Sequence, residues 1–102
     1  MAHTRINVGN GTTELIAAPG AGFKIVVYGY AITSTISLST DFRDGDGTVR
    51  AGAFSMAVGG PVVYPGASDA PAFECGEDQA LSINVSGLGN VRGHLTYVIG
   101  GA

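Results

Sequence analysis

Polar and apolar residues alternate along this chain in short runs, interrupted at roughly 8–12-residue intervals by turn-forming residues, a rhythm that leaves little room for anything but β-structure. Arg5–Val8 alternates and is followed by the turn dipeptide Asn10-Gly11. Thr12–Ala18 reads as a second strand, ended by the Pro19–Gly22 segment. In Thr35–Phe42 the inward set is Ile36, Leu38 and Phe42, and the outward set is Thr35, Ser37, Ser39 and Asp41. Phe54, Met56 and Val58 mark another strand, and Gly59-Gly60-Pro61 turns into Val62–Tyr64. Pro65–Pro71 is a loop, and Ala72–Cys75 a short edge strand. Leu81, Ile83 and Val85 alternate with Ser82, Asn84 and Ser86. Gly87–Asn90 reads as a hairpin turn from which Val91–Ile99 pairs back, with Val91, Leu95, Tyr97 and Ile99 inward. No helix start signal stands anywhere in this pattern. The expectation is one all-β domain over residues 1–102: an antiparallel β-sandwich or jelly roll of about eight strands.

The most apolar run, Phe23–Ile32, departs from clean alternation. Phe23, Ile25, Val27, Gly29 and Ala31 fall on one face; Lys24, Val26, Tyr28, Tyr30 and Ile32 fall on the other. A strand apolar on both faces is covered on both. The Tyr28/Tyr30 face is therefore expected to meet a second subunit or layer, since tyrosine offers contact area with a polar tip.

Composition narrows the function. Charged residues make up 13% of the chain, about half the usual share, so the surface is weakly charged; that suits close packing against other proteins and equally an ordinary glycine-rich β-domain. The net charge is −3, and Arg5, Lys24, Arg43, Arg50 and Arg92 are spread along the sequence without a basic stripe, which argues against phosphate neutralisation and nucleic-acid binding. Cys75 is the one cysteine, expected as a partly buried apolar thiol. No apolar run reaches the length of a membrane-spanning helix, and Met1–Arg5 lacks the apolar core of a secretory signal. Two histidines, His3 and His94, are too few for a cupin-type metal centre, and no nucleophile elbow accompanies them. Asp41, Asp44 and Asp46 lie close together, but the remaining ligands of an EF-hand loop are missing; a solvated acidic turn is expected there, with ion binding left open. The reading is a binding protein and not an enzyme, with no cofactor.

Ile6–Val8, Gly22–Tyr28, Gly60–Tyr64, Ala80–Val85 and Val91–Tyr97 together resemble the small β-sandwich proteins that decorate or cement the heads of tailed bacteriophages. These segments span nearly the full chain and consist mostly of glycines and apolar positions. The resemblance implies a jelly-roll fold, often trimeric, made in the host cytoplasm and carried on the capsid exterior. It implies major capsid protein as partner, with shell stabilisation by bridging. Another virion component, such as a head fibre or tail protein, and a carbohydrate-binding jelly roll are the alternatives. Candidate contact residues are Met1, His3 and Arg5 at the start of the chain, Tyr28 and Tyr30, and Tyr64 with Pro65 at the head of the Pro65–Pro71 loop.

Overall fold

A computed structural model describes residues 2–65 and 70–102. Nine strands follow one another: β1 (Ala2–Val8), β2 (Gly11–Ile16), β3 (Phe23–Ser34), β4 (Leu38–Asp44), β5 (Val49–Met56), β6 (Val62–Tyr64), β7 (Phe73–Glu74), β8 (Leu81–Ser86) and β9 (Val91–Gly101). They form two antiparallel sheets packed as a sandwich, so the all-β expectation holds. Sheet A has the order β1-β9-β3-β6, with β7 on the same edge of β3 as β6. Sheet B has the order β2-β8-β4-β5.

The strand positions follow the alternation closely, but the connections do not follow the turn signals. Gly9-Asn10 and Gly87–Asn90 join strands that lie in different sheets, so neither is a hairpin. β9 pairs with β1 and β3, and not with β8. Among the described strands that are neighbours in sequence, only β4 and β5 pair directly. A turn dipeptide specifies a sharp change of direction; which sheet the next strand joins depends on where its apolar face finds cover.

That cover is a continuous core between the sheets. Ile6, Ile25, Val27, Ile32, Val91 and Leu95 from sheet A meet Phe42, Leu81, Ile83 and Val85 from sheet B, each at most 1% exposed. Burial of side chains of this size contributes about 1.5–3 kcal/mol apiece. An aromatic cluster fills one region: Tyr30 lies 5.0 Å from Phe42, 6.0 Å from Phe54, 6.0 Å from Tyr64 and 6.2 Å from Phe73, measured between ring centroids.

The two-faced apolar strand has a local cause. The β3–β9 register shifts between Val27 and Gly29, placing a bulge at Tyr28. Before it, Ile25 and Val27 point into the core; after it, Tyr30, Ile32 and Ser34 do. One extra residue flips the alternation, as a bulge must. Tyr30 is thus a core residue at 8% exposure: it meets the second layer, sheet B, and not a second subunit, which removes it from the candidate contact residues. Its phenol pKa is raised, first by burial and then by neighbouring Tyr64.

Candidate functional site

On sheet A, Ile6, Val8, Val91 and Leu95 turn inward, so the residues between them face out. The cross-strand register sets those outward residues in transverse rows. His3, Thr96 and Gly29 form one; Arg5, His94, Ala31 and Val63 form the next; Asn7, Arg92 and Thr33 form a third. With strands about 4.8 Å apart, the Arg5–Val63 row spans roughly 14 Å. Small residues on β3 keep the middle of the face low. A groove of about 170 Å³ lies there, lined by Gly29, Ala31, Tyr64, Pro65, His94 and Thr96 among others.

The electrostatics of this face come from which cations are already engaged elsewhere. Lys24 Nζ lies 3.0 Å from Glu74 Oε1. Arg43 donates from Nε and Nη2 to the two oxygens of Asp41, each at 2.8 Å. Arg50 donates to Asp44 Oδ2 from Nε at 3.0 Å and from Nη2 at 2.7 Å. Arg5 and Arg92 enter no ion pair among the described residues. Both stand on the outer face of sheet A beside His3 and His94. Cations scattered along the sequence are gathered here by register, which composition alone could not reveal.

The sequence candidates therefore divide. His3 and Arg5 are exposed on β1, within this face. Tyr28, at the bulge, is half-buried on the same side; Pro65 and Tyr64 border the groove, but Tyr64 stands opposite Tyr30 in register and its ring stacks on Tyr30, on the core side of the sheet. Tyr30 belongs to the core. Met1 and residues 66–69 of the Pro65–Pro71 loop lie outside the described residues. Arg92 and His94 complete the face; they were legible only as outward positions on the last strand.

The acidic segment behaves differently from a solvated turn. Asp46 alone is exposed, and its carboxyl pKa is lowered chiefly by the backbone N–H of Thr48, which donates to it at 3.0 Å. Asp41 is buried beside Arg43. Asp44, 1% exposed at the end of β4, accepts from Arg50 of β5 and from the Gly76 N–H at 3.2 Å beyond β7. That carboxylate fastens the edge of sheet B to the edge of sheet A, while its buried Oδ1 has no hydrogen-bond partner among the described residues. Cys75 lies next to it, buried more fully than expected, its thiol pushed up to about 12 by burial and then by Asp44. Among the described residues no three His, Cys, Asp or Glu side chains gather into a metal-holding group.

A second exposed surface was missed by the periodicity. Ile36, expected inward, sits in the β3–β4 turn, and Val58, expected in a strand, sits beyond β5. With Leu88 they are exposed on three loops of one end of the sandwich, tied together by Gly59 N–H to Ser34 O at 2.9 Å and Thr35 N–H to Asn90 O at 3.0 Å.

Comparison of the chain with family models, curated proteins and solved structures found no match to any of them.

Proposed function

We propose that this protein is a non-catalytic attachment module that docks on a larger protein assembly through the outer face of sheet A. In the finer reading it is a decoration or cement protein on the exterior of a tailed-bacteriophage head, a jelly-roll trimer bridging neighbouring major capsid proteins. The observation that carries the attachment reading is the gathering of Arg5 and Arg92, without internal ion pairs among the described residues, beside His3 and His94 on one sheet face. Exposed cations placed together raise the rate and selectivity of docking on an acidic surface. The winding supports the jelly-roll reading: β1 lies beside β9, β2 beside β8, β3 beside β6 and β7, and β4 beside β5, distributed between two sheets. The finer reading rests on the segments quoted above and their resemblance to phage decoration proteins.

The test is co-sedimentation of purified protein with shells of the cognate major capsid protein. Expected are saturable binding, shells more resistant to heat, and loss of binding in the double variant R5E/R92E with the β-type circular dichroism unchanged. Absence of binding by the unaltered protein would refute the decoration reading.

A further inference from the structure

The edges of the two sheets are not equivalent. β2 carries a register shift against β8, and β5 carries two against β4. β6 and β7 are three and two residues long. Among the described strands, only β1 offers a long, regular edge: seven residues paired with β9 without a break in register. Short, bulged edges resist further pairing, whereas a regular one presents backbone groups ready for another strand.

The hydrogen-bonding direction of those groups follows from the ladder. Thr35 N–H donates to Asn90 O and Ala102 N–H to Gly22 O, both at 3.0 Å, so at each end of β9 the even-numbered residues bond toward β3. Backbone direction alternates along a strand, and β9 has no bulge of its own. Its odd-numbered residues therefore bond toward β1, where Val91, Gly93, Leu95 and Tyr97 face Val8, Ile6, Thr4 and Ala2. His3, Arg5 and Asn7 are left with N–H and C=O turned to the open edge. These same three residues carry their side chains on the outer face, next to His94 and Arg92. Free backbone pairing and positive charge coincide on one stretch of chain.

We propose that β1 accepts an added strand from a protein partner, and that this strand is an extended acidic segment with Asp or Glu at alternate positions. Its backbone pairs with His3, Arg5 and Asn7, which brings every second side chain to the outer face beside the imidazole of His3 and the guanidinium of Arg5. A second copy of β1 is disfavoured, since antiparallel pairing centred on Arg5 sets like charges opposite each other. The inference rests on reading this face as the attachment surface and names what attaches: strand addition supplies affinity through the main chain, and the Arg5 guanidinium selects the sequence.

The probe is a ten-residue peptide of alternating threonine and glutamate, capped at both ends and titrated by calorimetry. Expected are binding by this peptide, none by its lysine counterpart, and slowed amide exchange at His3, Arg5 and Asn7. R5E should weaken binding by about tenfold through charge. N7P should weaken it similarly: proline is tolerated on an edge where the N–H faces solvent, but it blocks the incoming strand. The same peptide N-methylated at its glutamates keeps its charge and cannot pair, which decides the question without any protein variant. Undiminished binding of the methylated peptide, or failure of the unmodified peptide to bind, overturns strand addition. Cognate shells separate the two readings: shells that take the unaltered protein and N7P equally retain the attachment face and remove the strand, and shells that take neither remove the attachment reading, while the peptide still decides the edge.

Discussion

Tyr28 and Tyr30 lie two residues apart on one strand, a spacing that ordinarily puts both side chains on the same face. The bulge between Val27 and Gly29 sends them to opposite faces. Tyr30→Ala should therefore cost about 3–5 kcal/mol, the range for emptying a large aromatic site in a core. Tyr28→Ala should cost less than about 1 kcal/mol. Urea unfolding of the two variants, monitored by circular dichroism, makes the comparison. Nothing in the residues 23–32 announces the extra residue: both faces are apolar, so either register reads as buriable. Cys75 gives a second prediction. Its thiol is raised from an ordinary value of 9.0 to about 12, so the folded state holds the proton more tightly than the unfolded chain does. The resulting stability is fully present below pH 9 and is lost as pH rises toward 12. The urea midpoint of the unaltered protein should fall across that window more steeply than that of Cys75→Ala.

At the scale of elements, the end of the β4–β5 hairpin depends on Asp44. Removing Arg50 strips the carboxylate of its cation and leaves a buried charge, a change worth about 3 kcal/mol in comparable pairs. Arg50→Ala should show this as a lowered urea midpoint, together with faster amide exchange at Gly76, whose N–H donates to the same oxygen. The β3–β9 contact is intolerant in another way. A Cβ on Gly93 would lie 1.9 Å from the carbonyl oxygen of Ala31, against backbone that cannot yield without unzipping the ladder. Gly93→Ala should cost about 3 kcal/mol or more, or prevent folding, as judged by the loss of β-type circular dichroism. Strand positions were legible because period-two alternation records which side of a strand is buried. Strand partners were not, because β9 reaches β1 and β3 across the whole length of the sequence. The acidic stretch was misread for a related reason: Asp44 is buried by a partner, Arg50, whose approach depends on the hairpin and not on local spacing.

Taken as a whole, the molecule is sparsely charged but unevenly so. Carboxylates at the end opposite the Leu88 loop have local employment: Glu77 accepts from the Gly22 N–H and Asp78 from the Gly20 N–H, both at 2.9 Å, fixing the loop before β3. The exposed cations of β1 and β9 have none among the described residues. A face of this kind makes attachment sensitive to ionic strength. Raising salt from about 0.1 M to about 1 M shortens the screening length from roughly 10 Å to roughly 3 Å. Binding to shells should weaken accordingly, and the charge-neutral variant R5Q/R92Q, a weaker binder at low salt, should lose most of that salt dependence. Sequence composition pointed to a protein that packs against others, but placing the surface required the register, which alone brings Arg5 opposite His94 and Asn7 opposite Arg92.

The pairing of β1 with β9 also governs when this protein can come into being. Ala2 faces Tyr97 and Val8 faces Val91, so β1 has no strand to pair with until β9, far along the chain, has been made. β3, too, has its longest partner in β9. β3 can take β6 and β7 earlier, but sheet A gains its longest ladders only with β9, a late, non-local step of the kind that places β-proteins in the millisecond-to-second range of folding times. Chains interrupted before residue 91 would carry Ile6, Val8, Ile25 and Val27 exposed, and they form the population most exposed to aggregation and proteolysis.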